Sequence, residues 1–341
     1  MKRFLLATAF FAAAANATAA TGPRYELTKT VALGTPDRWD FVHFDPVQDR
    51  VYIAHRTQID VVDGKTGAIV GRVLGIAGAH DVATVPNLGR GYADNSDTGD
   101  VTIFDLRTLR PIGKIPADAD SDAMIYDPAT GLLVVANGDS HDASIIDVRM
   151  SKRLANVPLG GSPEMMAADS RGKAYINLAS ANQIVRLDLR SHTIDARWPT
   201  PVCESPHGLA IDATSRRLFL SCANDRMLVI DATDGKPLAL LPIGSGTDGA
   251  AFDPVRKRAF SSNRDGTLSI VAERNGRSFV ALGKVTTAPG ARTMAIDPRS
   301  GRIFLVTATV AGQRPAKAPG GTPEYDFAPG TVKLMVFDPA R

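Results

Sequence analysis

The chain has 341 residues, with 39 Lys plus Arg against 36 Asp plus Glu and a formal charge of +3. That balance argues against a protein built mainly around nucleic acid, which needs a strong basic footprint. Apolar residues make up 44%, ample for a buried core, whereas aromatics make up only 6%, so no stacking platform for single strands is evident.

The first twenty residues, MKRFLLATAFFAAAANATAA, predict a secretory signal. Lys2 and Arg3 form the positive start, Phe4 to Ala15 the apolar run, and Ala17-Thr18-Ala19 the small-x-small cleavage pattern. Removing it takes two positive charges and leaves +1. No later stretch approaches the roughly 20 apolar residues of a spanning helix. The expectation is an exported, periplasmic chain with residues 21–341 as one domain.

From Arg24 onward helical periodicity is nearly absent. Short runs of Val, Ile, Leu and Phe are punctuated by Asp-Pro, Asp-Gly and Thr-Gly, the pattern of many short strands and turns. One unit recurs. SDAMIYDPATGLLVVANGDSHDASIIDVRMSKRLANVPLG (121–160) aligns with SPHGLAIDATSRRLFLSCANDRMLVIDATDGKPLALLPIG (205–244). Each holds a strand ending in Asp, a turn, a second strand, a loop, a third strand ending in Asp and a looser fourth strand. The first strands open at Asp40, Asp81, Asp122, Glu164, His207, Asp248 and Arg292, which is 252 residues over six intervals, or 42 per unit.

Four strands in 40–45 residues is the signature of a β-propeller blade. The predicted fold is all-β, a seven-bladed propeller of four-stranded blades. RYELTKTVAL (24–33) precedes the first unit yet looks like a fourth strand, and the last unit stops after TVKLMVFDPAR. The N-terminal strand is therefore expected to complete the last blade and close the ring, which removes an aggregation-prone edge.

LVVANGDSHDASIIDV, LFLSCANDRMLVIDATDGKPLALLPIG and SPHGLAID resemble the YVTN-type repeats of bacterial surface and periplasmic propellers, the YncE-like family. The likeness covers 24–341. It implies the fold and a periplasmic address. Relatives include propellers without chemistry, some that bind nucleic acid, and more distant lactonases and lyases, so the likeness implies no single activity.

In a blade the first strand lines the central channel, which puts the seven first-strand openings in a ring at one mouth, the top. Five of the seven are acidic, although Asp plus Glu make up only 36 of 341 residues. A polar rim that favours charge explains this; so does a ligand or cation held among Asp40, Asp81, Asp122, Glu164, His207, Asp248 and Arg292. Converging carboxylates repel unless something positive sits among them, and Arg292 alone is too little. His55, His80, His141 and His207 fall on the same face, where imidazole with carboxylate suits a first-row divalent cation. No compact ligand motif such as H-x-x-x-H is present, so the cation is one possibility and decoration of the rim is the other.

Three further features complete the reading. Residues 310–330, VAGQRPAKAPGGTPEYDFAPG, interrupt blade seven on the top face and carry Arg314, Lys317, Tyr325, Asp326 and Phe327, the expectation being a flap over the mouth. Cys203 lies before His207, and Cys222 falls roughly opposite it across the blade-five turn; in an oxidising compartment a disulfide between them is expected. Asn95, Asn137, Asn224 and Asn263 read as turn-formers tolerant of left-handed backbone, and Asp63, Asp105, Asp147, Asp188, Asp231 and Asp338 as caps of the following turns. Basic residues such as Arg256, Lys257 and Arg258 collect on the opposite face, leaving the top acidic by comparison.

No nucleophile elbow, P-loop or dinucleotide fingerprint is present; GIAGAH and GSGTDG precede strands, not helices. Three functions remain: a binding or scaffold protein that holds a small ligand or protein partner at the top mouth, a metal-assisted hydrolase or lyase at the same mouth, and nucleic-acid binding by the basic side or the flap.

Overall fold

A computed structural model of the protein describes residues 24–316 and 322–340. The proposed signal sequence and Lys317 lie outside the described residues. The regular elements of the described chain are all strands, apart from two single-turn 3-10 segments at Pro86–Leu88 and Ala179–Ala181.

The strands form seven antiparallel sheets in sequence order around a ring, plus one separate hairpin. Blade three is typical: Ser121–Asp127, Leu132–Asn137, Asp142–Asp147 and Lys152–Pro158 lie side by side. Blade one forms its second and third strands from one unbroken segment, Arg50–Asp63, with Arg56 in left-handed backbone at φ 56° where the chain reverses. The last blade takes Met294–Asp297, Arg302–Thr307 and Val332–Pro339 from the C-terminal part and Tyr25–Gly34 from the N-terminal part. Tyr25 pairs with Pro339 and Gly34 with Val332, so the expected closure is present.

The packing explains the sequence pattern. Seven separate apolar clusters occupy the seven gaps between neighbouring blades, one per gap. Second strands touch a neighbour on both faces and are buried along their whole length, as in Leu132–Asn137 and Arg302–Thr307 apart from Arg302 itself. They therefore read as continuous apolar runs rather than alternations. Fourth strands face solvent on one side, and Thr193–Pro199 alternates between exposed and half-buried accordingly.

The turns follow from short-range chemistry. Asp127 at the end of a first strand accepts hydrogen bonds from the Thr130 amide at 3.0 Å and the Thr130 hydroxyl at 2.7 Å. Gly131, at φ 74°, then takes the left-handed position that closes the turn. Third-strand aspartates behave likewise; Asp105 accepts from the Arg107 and Thr108 amides and Asp147 from the Arg149 and Met150 amides. Asp338 departs from that pattern and pairs with Arg302 at 2.7 Å.

The asparagines correct the expectation. None of Asn95, Asn137, Asn224 and Asn263 has a positive φ. Asn95, Asn137 and Asn263 remain in strand geometry and donate across to the third strand, for instance Asn137 Nδ2 to Asp142 at 2.7 Å and to Ser144 at 3.0 Å. Asn224 instead ties the loop before blade five, donating to Val202 O at 3.3 Å.

On the lower face the basic side chains clamp blades together. Arg50 donates to Leu106 O, Arg90 to Val148 O, Arg256 to Ser300 O and Arg302 to Gly64 O, each on the next blade of the ring. Lys257 pairs with Asp212 at 2.6 Å. Most of the sequence's basic lower surface is thus engaged inside the protein. No helix among the described residues is long and apolar enough to cross a membrane.

Cys203 and Cys222 are joined by a disulfide, and both are fully buried. Cys222 pairs with Pro206, one residue from the expected His207. The bond fastens the loop that delivers His207 to the second strand of its own blade.

Two outcomes test this account. A chain starting at residue 35 leaves Val332–Pro339 as an open edge, so size-exclusion chromatography should find it associated or unfolded; a monomer with the longer chain's urea midpoint would contradict the closure. The double substitution C203A/C222A opens a loop of 19-residue separation and should cost about 3 kcal/mol in urea unfolding.

Candidate ligand site at the channel mouth

Six of the seven first-strand openings converge, in two groups. Arg292 Nη1 lies 2.9 Å from Asp248 Oδ2, and its Nη2 lies 3.7 Å from Asp40 Oδ2. His80 Nδ1 lies 3.4 Å from Asp122 Oδ1. Asp40, His80 and Asp122 each offer a ligand atom within 4.8 Å of the others. Across the ring, His207 Nε2 lies 3.8 Å from Glu164 Oε1, and its Nδ1 is held by Ser205 O at 2.7 Å.

Asp81 plays another part. Its carboxylate accepts from the Val82 amide at 2.7 Å and the Met124 amide at 2.8 Å, stitching blade two to blade three. Beneath it Asp94, fully buried, accepts from the His80 and Asp81 amides at 2.9 and 2.8 Å.

The remaining histidines stand apart from the Asp40–His80–Asp122 group. His55 is fully buried, with Nδ1 2.5 Å from Asp60 Oδ2 and Nε2 bonded to Pro36 O. Asp60 also receives Arg72 Nε at 2.6 Å, and Arg72 reaches Leu33 O at 3.3 Å. This network holds residues 33–36 in place. His141 sits at a turn position, φ 55°, with Nε2 3.4 Å from Ser162 Oγ.

The electrostatics follow from crowding. Burial, with Asp248 and Asp122 adding to it, pushes the Asp40 carboxyl up to about 7 against the pull of Arg292. Burial and then Asp122, Asp248 and Asp40 push Glu164 up to about 9. Burial raises Asp94 to about 7 and Asp81 well above the usual carboxylate range. His80 moves the other way relative to its charge: the Asp122 carboxylate beside Nδ1, which also meets Ser121 O at 3.1 Å, raises it to about 9, so it is a cation at neutral pH. The acidic ring is therefore relieved by protons on some carboxyls and by two resident cations, Arg292 and His80. A divalent ion at Asp40 and Asp122 would have to compete with the His80 proton.

Above the ring lies a cavity of about 590 Å³. The blade-seven insertion forms a hairpin, Val310–Arg314 with Glu324–Phe327, that supplies one wall. Phe327 packs edge-on against Trp39 with centroids 5.0 Å apart, and its ring fills the space where a Cβ on Gly290 would collide at 2.4 Å. Gly290, at φ 79°, is thus required for the hairpin to seat. Asp37 accepts from the Gly330 amide at 2.5 Å and ties the far end.

The lining departs from the acidic expectation. Arg38, Arg56, Arg264, Arg292 and Arg314 face Asp37, Asp40 and Glu324, with His80 adding a further positive charge. Arg56 pairs with Asp97 at 3.0 Å, and Arg314 with Glu324 and Asp326 at 3.1 and 3.0 Å. Arg38 and Arg264 have no ion-pair partner among the described residues. Burial and the neighbouring Arg292 lower the Arg264 pKa. Trp39 Nε1 is buried with no acceptor among the described residues.

Arg38, Trp39, Arg56 and Arg264 fall outside the first-strand openings, the histidines and the 310–330 insertion that the sequence singles out. A signal was present. The residue following the second strand is Arg56, Ser96, Gly138, Ala179, Ala223, Arg264 and Ala308 in blades one to seven. It is small in every blade except one and six, the two that flank the inserted hairpin of blade seven.

The mouth groups predict a pH dependence with one sign. Asp40, Glu164 and His80 all have folded-state pKa values above their ordinary ones, so the folded protein binds more protons and stability falls as pH rises from about 4 to 9. Urea midpoints should decline from about pH 6.5 to 9; below that, buried His43, pushed down to about 4, contributes with the opposite sign. E164Q should remove up to one proton of slope, about 1.4 kcal/mol per pH unit at its steepest; an unchanged slope would refute the assignment of Glu164.

No protein-family profile and no curated protein matches the chain. Solved structures do. A chain of Kuenenia stuttgartiensis hydrazine synthase superposes with a TM-score of 0.70 at 14% identity, over 80% of this chain and 94% of that one. A chain from a crystal structure of the mitotic checkpoint complex gives 0.76 at 13% identity over the whole of both. At such identities the likeness is one of architecture: the chain folds as a seven-bladed β-propeller.

Proposed function

We propose that the protein is an exported binding protein whose ligand sits in the top-face cavity, between the channel mouth and the blade-seven hairpin. The observation that carries this reading is the cavity itself. Its 590 Å³ falls in the range of small-molecule sites, and its wall is an insertion found in one blade only, seated by Trp39, Gly290 and Phe327. Propellers commonly serve as rigid platforms for ligands and partners. The N-terminal sequence pattern and the YVTN-type repeat resemblance support a periplasmic location.

A second reading is favoured by one specific group. Asp40, His80 and Asp122 fit a divalent cation once His80 loses its proton, and Glu164, protonated at neutral pH, has the pKa of a general acid. A lactonase-like hydrolase at the same mouth would use them.

A thermal-shift panel of small metabolites separates the readings. A ligand at one hundred times its Kd should stabilise the protein by about 2.7 kcal/mol, and replacing residues 310–327 with a short glycine linker should abolish that gain. A gain that survives the replacement, or no stabilising ligand in the panel, counts against the cavity. For the hydrolase, less than a tenth of an equivalent of metal in protein purified without chelators, with no shift on adding zinc, copper or calcium, would remove the cation.

A further inference from the structure

We infer that the cavity takes a small organic anion with a flat apolar body, its acid group held by Arg38 and Arg264 and its body by Trp39, Tyr325 and Phe327. This rests on the binding reading above and adds the chemical class of the ligand.

The charge balance comes first. Five arginines and a protonated His80 line the cavity against three carboxyls, one of which, Asp40, is already engaged by Arg292. Internal pairing accounts for Arg56, Arg292 and Arg314. Arg38 and Arg264 remain without an ion-pair partner among the described residues. Arg38 is exposed at the rim, whereas Arg264 is half-buried beside the guanidinium of Arg292, with Asp248, Glu324 and Asp40 attracting it from beyond ion-pair distance. Burial and Arg292 outweigh that attraction, so an anion that reaches Arg264 relieves a costly charge. Guanidinium groups suit a planar acid group because their N–H pairs match its oxygens two by two.

The repeat supplies an independent observation. At the position after the second strand, five blades carry Ser, Gly or Ala and two carry Arg. A fold requirement would act on all seven blades alike. The two arginines instead flank the one blade that carries the hairpin, and both line the same cavity.

The aromatic wall sets the shape. Trp39 and Phe327 meet edge to face, and Tyr325 lies 6.5 Å from Phe327, so three rings bound the cavity on the hairpin side. In a chain with only 6% aromatic residues, that grouping is local. Rings beside arginines favour a flat unsaturated body bearing an acid.

Calorimetric titration of the full chain with three probes tests the class: 2-naphthoate, the uncharged 2-naphthamide, and inorganic phosphate. The expected order is naphthoate at least tenfold tighter than either of the others. R264Q should weaken naphthoate at least tenfold and leave naphthamide unchanged; R38Q, at an exposed position, provides the same readout should R264Q fail to fold. Equal affinities for naphthoate and naphthamide would overturn the anion and leave cavity binding standing. Phosphate binding as tightly as naphthoate would overturn the flat body. No heat with any probe would overturn the inference as a whole, while the metabolite panel decides separately whether the cavity binds.

Discussion

The pairing of Tyr25–Gly34 with Val332–Pro339 is the constraint on which the rest of the molecule depends. No blade has a core of its own. Each apolar cluster lies between two blades, so every sheet needs two neighbours to cover its faces, and a ring is the arrangement that gives all seven the same. Joining the chain's two ends within one sheet makes the seventh gap as well packed as the others. Thr28 adds a hydrogen bond of 2.6 Å to Asp338, which Arg302 holds in turn. The join thus carries polar links besides its ladder.

The same ring geometry creates the electrostatic problem at the mouth. Seven equivalent positions point at one axis, and five of them are carboxyls. The protein meets this with unequal roles for equivalent positions. Asp81 turns into the backbone and ties two blades; Asp40 and Asp248 share Arg292; Asp122 takes His80; Glu164 keeps its proton beside His207. Symmetry of position does not become symmetry of function.

Fold and site differed in how far the sequence revealed them. The blade count, the order of strands and the closing strand were legible because each blade repeats the same burial pattern, and Asp-x-x-x-Gly turns such as Asp127–Gly131 and Asp297–Gly301 mark the same point in the cycle. The bridge between Cys203 and Cys222 was legible from the blade-five turn, which sets Cys222 opposite the end of the loop that carries Cys203. The cavity was not, because it depends on residues that break the repeat. His55 occupies a position shared with Asn95 and Asn137, yet burial beside Asp60 directs it toward the 33–36 segment and not the mouth. The turn-forming role read for the asparagines was wrong: Asn95, Asn137 and Asn263 keep an extended backbone and reach the third strand with their side chains, while Asn224 holds the loop before its blade. The acidic character of the mouth was read from one ring of residues, and Arg38, Arg56 and Arg264 from the neighbouring loops, with Arg314 from the hairpin, reverse it in the cavity above.

The His55 network has a consequence for how the ring is held shut. His55 binds Pro36 O, Gln58 reaches Thr35 O at 3.5 Å and Arg72 reaches Leu33 O, so blade one grips the stretch that leads from the closing strand to Arg38 and Trp39. That stretch belongs to the seam between the chain's two ends and also to the cavity wall. The hairpin that packs against Trp39 and completes the wall comes from blade seven. A molecule lodged there would touch both sides of the seam and act as a clasp across it. Filling the cavity would therefore add a tie between the chain's two ends beyond their shared ladder.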